Sequence, residues 1–283
     1  MSAVLFGLAS ALTYGSADFF GGLASRRASI LWVLLVSQAT GLALFAATFP
    51  LLNDAAPSGR GIGWGAAAGV FGITGVGFLF RGLATGKMSL VAPVTGVLAA
   101  VIPVAFGLAA GERPAPVGLA GVLLALGAVA LVSLAPDPSS GAARTGRLGP
   151  GIADALIAGT GFGLFFIALD AAGDRSGMWP LLSGRVVTFG VMVCLALARR
   201  RSLRRDRRAL APAAGSGVLD ITANTFYLLG TRRGLLSIVA VLTSLYPAAT
   251  VLLARAVLAE RLARPQLAGL ACAAGGVVLI ALG

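Results

Sequence analysis

The stretch GVLDITANTFYLLGTRRG, Gly217–Gly234, sets an aspartate in the middle of a run that otherwise suits lipid. Asp220 is followed by Asn224 and Tyr227, so the three polar residues fall at i, i+4 and i+7 and share one helical face. In a membrane helix Asp220 would lie about eleven residues in, roughly 16 Å deep at 1.5 Å per residue. A carboxylate at mid-bilayer costs about 2.5–3.5 kcal/mol on insertion scales, so it has to face a cavity or a partner.

The rest of the chain supports a membrane setting. Of 283 residues, 58% are hydrophobic and 11% charged, and the mean hydropathy is +0.94. That leaves too little charge to cover a soluble domain. The net charge of +12 sits in short clusters between apolar runs, as in loops at an anionic membrane surface, and no nucleic-acid partner is expected. There is no histidine, which removes Ser-His-Asp, Cys-His and HExxH chemistry. Cys194 and Cys272 lie inside apolar runs and read as small packing residues. GLATGKMS (Gly82–Ser89) departs from a phosphate-binding loop, with its glycines one residue too close and Met88 where Ser or Thr is needed. No cofactor or metal is expected. The N-terminal run lacks a basic n-region and reads as a first membrane helix.

Charge clusters and turn residues divide the chain into ten candidate spans of about 20 residues. They are 3–24, 30–52, 61–84, 89–110, 117–135, 151–172, 178–198, 209–229, 235–258 and 266–282. Gly65, Gly69 and Gly72 make a small-residue stripe that lets another helix come close. Pro103 and Pro247 interrupt the fourth and ninth spans. A polar linker, residues 136–150, divides the spans five and five, giving repeats over 1–135 and 151–283.

Those halves repeat each other. A shift of 148 lays Gly111–Leu131 on Ala259–Leu279, with Glu112 on Glu260, Arg113 on Arg261 and Leu119-Ala120-Gly121 on Leu267-Ala268-Gly269. The same shift lays GVFGITGVGF (Gly69–Phe78) on GVLDITANTF (Gly217–Phe226). A shift of 147 lays Trp32 on Trp179 and Gln38 on Arg185. Halves with an odd number of spans insert in opposite senses. The fold class read from the sequence is therefore an all-α integral membrane protein of ten helices, arranged as two inverted five-helix repeats. Secondary transporters use that architecture, with the substrate site near the midplane. The basic clusters fall in the odd-numbered connections, which taken alone puts both termini outside.

Ten spans in two halves, each with Glu-Arg and a following L-A-G at its last helix, resemble the drug/metabolite transporter superfamily, EamA type. The resemblance is densest in Gly217–Leu262 and in YGSADFFGGLASRR (Tyr14–Arg27). It implies alternating access around a central cavity, often outward transport of small metabolites or drugs, and both termini in the cytoplasm. The two orientations stay open.

The repeat also filters candidates. Glu112 and Glu260 occur in both halves, each before a helix start, and read as complements to the positive end of that helix. Polar groups present in one half only need another reason. Under the shift of 148, Asp220, Asn224 and Tyr227 fall on Gly72, Val76 and Leu79 of the sister helix. Asp18, with Tyr14 a turn earlier, is unmatched by Leu164 in the sixth span. Arg185 lies within the seventh span and pairs with Asp18 or Asp220, or holds a substrate carboxylate. Trp32, Trp179 and Tyr246 line a cavity or anchor the interface. The site read from the sequence is thus Tyr14, Asp18, Arg185, Asp220, Asn224 and Tyr227. It implies binding of a small-molecule substrate or exchange of a proton, in a monomer or homodimer in the bacterial inner membrane. A membrane enzyme acting on lipid-linked substrates and a noncatalytic scaffold are the rival classes.

Overall fold

A computed structural model describes residues 1–53, 55–85, 88–133, 151–199, 203–258 and 264–282. The linker 136–150, Gly86 and Lys87 of the GLATGKMS stretch, and Glu260 and Arg261 lie outside the described residues. The described residues are helical, with no strand among them. The helices are α1 (Ser2–Ser25), α2 (Ile30–Leu52), α3 (Gly59–Thr85), α4 (Met88–Ala109), α5 (Pro116–Ser133) and α6 (Ile152–Ala171). They continue as α7 (Trp179–Ala198), α8 (Leu210–Thr231), α9 (Leu236–Thr243), α10 (Tyr246–Leu258) and α11 (Arg264–Leu282).

Among the described residues seven stretches are long and apolar enough to cross a membrane, and Val94–Ala109 and Pro116–Leu131 are shorter apolar helices. α8 is not among the seven, because Asp220, Thr222, Asn224 and Thr225 dilute its apolar character. Its position permits this, since it packs on α1, α2 and α9. Large apolar side chains such as Leu5, Leu12, Val186, Leu197 and Leu252 are exposed on the outside of the bundle, the surface expected to meet acyl chains. Cys194 is exposed there too, so it does not pack in a core.

The expected ninth span is not continuous. It breaks into α9 and α10 at Ser244 and Leu245. Pro247 has no N–H to give the Thr243 carbonyl, and its ring crowds that carbonyl, so the helix restarts. Pro103, fully buried in α4, leaves its helix unbroken.

The packing pairs come in matched sets. α1 packs on α8 as α3 packs on α6; α2 on α8 as α3 on α7; and α1 on α9 and α10 as α4 on α6. α2 meets α7, α4 meets α9 and α5 meets α11. α2 and α7 run antiparallel, since Asn53 meets Met178, Phe49 meets Trp179 and Gln38 meets Arg185. The glycine stripe behaves as expected. A Cβ on Gly69 would fall 2.5 Å from the Gly184 carbonyl oxygen, and one on Gly184 would fall 2.7 Å from that of Gly65. Lipid offers no hydrophobic drive for helix association, so backbone contact of this kind is what dispersion has to work with.

Candidate functional site

α1 and α8 are antiparallel neighbours. The Ser10 hydroxyl donates to the Ala223 carbonyl at 2.9 Å, and Gly21 faces Ser216. These two contacts bracket Asp18 and bring it to the level of Asp220. Between the helices lies a cavity of about 290 Å³ lined from α1, α2, α3, α4, α6, α7, α8 and α10. Tyr14, Asp18, Arg185, Asp220 and Asn224 all line it, as do Gln38, Tyr246, Phe165 and Phe166.

The charged groups are arranged as follows. Arg185, on α7, is 7% exposed. Its Nη2 donates to Asp220 Oδ2 at 2.5 Å, and its Nη1 donates to Gln38 Oε1 at 2.6 Å. A buried guanidinium demands acceptors in two directions, and α2 and α8 supply them. The arginine therefore pairs with Asp220 and not with Asp18. Gln38 entered the sequence reading only as the repeat counterpart of Arg185. Its contact with that counterpart had no signal in either half alone. Asp18 is exposed to the cavity, and no described residue gives it a hydrogen bond or ion pair. Asn224 is buried; its Nδ2 donates to the Asp220 backbone carbonyl at 2.7 Å, while its Oδ1 is buried without a partner among the described residues.

Tyr227 does not join this group. It is fully buried, its ring lies 4.5 Å from that of Phe166, and its hydroxyl donates to the Phe166 carbonyl at 3.2 Å. The i+7 position keeps the face of Asp220 but lies about 10 Å further along the helix, beyond the lining residues and against α6. Trp32 packs with Ala24, Ala28 and Ala213, and Trp179 donates through Nε1 to the Ala55 carbonyl at 3.0 Å; neither is among the cavity-lining residues. Tyr246 is, facing Tyr14 with ring centroids 6.4 Å apart at the break between α9 and α10.

One end of the bundle is tied shut by polar contacts between connections. Asn53 Oδ1 accepts from the Met178 N–H at 2.8 Å, and Arg60 Nε donates to the Ala171 carbonyl at 3.0 Å. Arg232 Nη2 donates to the Gly177 carbonyl. Gly177 has φ +51°, and a side chain there would collide with Asn53. Glu112 belongs to the same end. Its oxygens accept from the N–H groups of Leu236 at 2.6 Å and Ser237 at 3.0 Å. The carboxylate thus complements the start of α9, in the other half, and not the start of its own following helix. In the other direction the cavity reaches Leu34, Leu79 and Met192, within about two turns of the opposite helix ends. That end carries Arg26, Arg27, Arg199, Arg204, Arg205, Arg207 and Arg208.

Comparison with known proteins adds the family. No curated protein matches the sequence. A crystal structure of a protein 19% identical superposes with a TM-score of 0.75, covering 99% of this chain and 96% of that one, which shows a shared fold. The EamA-like transporter family matches twice, over residues 1–134 and 149–282. The chain belongs to the EamA-like transporter family, a family of transporters, and so is a multi-pass membrane transporter of the drug/metabolite type.

Proposed function

We propose that this protein is a secondary transporter that exports a small metabolite or drug across the bacterial inner membrane by alternating access. The chain is built as two inverted five-helix halves, residues 1–135 and 151–283, joined by the linker 136–150. Matched packing pairs, antiparallel α2 and α7, and the double family match support that arrangement. So does the contact between Gln38 and Arg185, because residues related by a pseudo-twofold axis meet only beside it.

The observation that carries the reading is the cavity itself. It lies at the seam, draws charged groups from α1, α7 and α8, and is tied at one end by contacts that cross between the halves. Exchanging access requires those ties to break while the opposite end closes. The chemistry offered inside is binding and proton exchange, through Asp18 and Asp220, with Arg185 holding Asp220 in place.

Reconstitution tests this directly. Strains lacking or overproducing the protein are screened for sensitivity to amines, amino acids, nucleosides and toxic amphiphiles. Protected compounds are then offered to proteoliposomes under an imposed pH gradient. Transport that follows the gradient is expected. Proteoliposomes that carry none of the protected compounds would refute secondary transport.

A further inference from the structure

Among the cavity-lining residues only Asp18, Arg185 and Asp220 carry charge. Arg185 is bonded to Asp220 and Gln38, which leaves the cavity one negative charge, on Asp18. The groups with bonding capacity to spare are acceptors. Asp18 lacks a donor among the described residues. Asn224 Oδ1 is a buried acceptor without a partner among the described residues, and its identity as oxygen is fixed because the other amide atom faces the Asp220 carbonyl.

The walls beside these acceptors are aromatic and aliphatic. Tyr14 stands one turn from Asp18 and faces Tyr246, and Phe165 and Phe166 continue the wall. Ring faces attract a cation within about 6 Å. An anionic ligand would meet two aspartates and an arginine already bonded twice.

Resting on the transporter reading above, we infer that the cavity binds a monocationic amine with an apolar body. Its ammonium binds Asp18, where it competes with a proton. The titratable or charged groups that face Asp18 are Tyr14 on α1, Arg185 on α7, Asp220 on α8 and Tyr246 on α10. With Asp220 held by Arg185, one proton or one ammonium completes the neutralisation. Occupancy by either excludes the other, which is the requirement for exchange of amine against proton.

The test is calorimetric binding to the purified full chain. Three skeletons are used, 2-phenylethyl, cyclohexyl and n-hexyl, each as amine, alcohol and carboxylate. The amine is expected to be the tightest form in at least one skeleton, and its affinity to fall as pH is lowered from about 9 to about 5, where a carboxylate takes up its proton. Asp18→Asn is expected to weaken amine binding at least tenfold and to remove the pH dependence, and Asp18→Glu to restore both. Asp18 makes no hydrogen bond among the described residues, so the variant is expected to lose none on folding; its melting temperature checks this. The inference is overturned if the alcohol or carboxylate binds as tightly in every skeleton, if no amine binds, or if Asp18→Asn binds amines as the parent does. Failure of the transporter reading looks different: amines bind and depend on Asp18, but none crosses the bilayer of a proteoliposome.

Discussion

Removing the partners of the Arg185–Asp220 pair one at a time should expose an asymmetry. The arginine side chain is 7% exposed and the aspartate side chain 29%. Asp220→Leu therefore strands a charge that is almost fully desolvated and retains Gln38, while Arg185→Met strands a carboxylate that cavity water reaches. Breaking a buried pair by deleting one partner costs about 3–5 kcal/mol. We expect about 3 kcal/mol for Asp220→Leu, and about 2 for Arg185→Met because solvent screens what is left. The double variant replaces both charges by apolar groups of similar size and should lose about 1 kcal/mol, since such replacements are often neutral. The coupling is then about 4 kcal/mol, well beyond the scatter expected of independent sites. Thermal unfolding in detergent reads it out, at roughly 2 °C per kcal/mol for a chain of this size. Drops near 6 °C and 4 °C are expected for the single variants and about 2 °C for the double. If the two single drops add in the double variant, the pair does not hold α7 to α8, and the electrostatic account of the cavity is wrong.

Two other predictions come from corrected expectations. Glu112→Ala leaves two N–H groups at the start of α9 without their acceptor and should lower stability by about 2–4 kcal/mol, against about 1 for Glu112→Gln, which keeps one oxygen; equal melting temperatures for the two would refute the cap. Tyr227→Phe removes one hydroxyl bond to Phe166 and should cost about 1 kcal/mol while leaving transport kinetics unchanged; a changed transport rate in proteoliposomes would put Tyr227 back in the site.

Much of the candidate site was legible in the sequence because burying charge in lipid is costly. Asp18, Arg185, Asp220 and Asn224 stand out against apolar neighbours, and comparison of one half with the other separates them from residues the fold repeats. Such a filter works residue by residue, however, and says nothing about which groups meet. Tyr227 passed it through the i, i+7 relation, but that spacing also carries it about 10 Å along the helix from Asp220, and packing on Phe166 claims it. Glu112 was rightly linked to a helix start, yet the helix in question lies 124 positions further along, at Leu236.

By itself the sequence determined the helical class, nearly all helix positions, the repeat and the family resemblance, since these follow from apolar run length, turn residues and internal similarity. The tertiary structure decided the partnerships. Arg185 chose Asp220 and Gln38 over Asp18, which left Asp18 as the open charge in the cavity. That choice depends on helix crossings set by backbone approach, as at Gly65, Gly69 and Gly184. Ångström-scale contact of this kind fixes the distance between two charges, and no spacing along the chain encodes it.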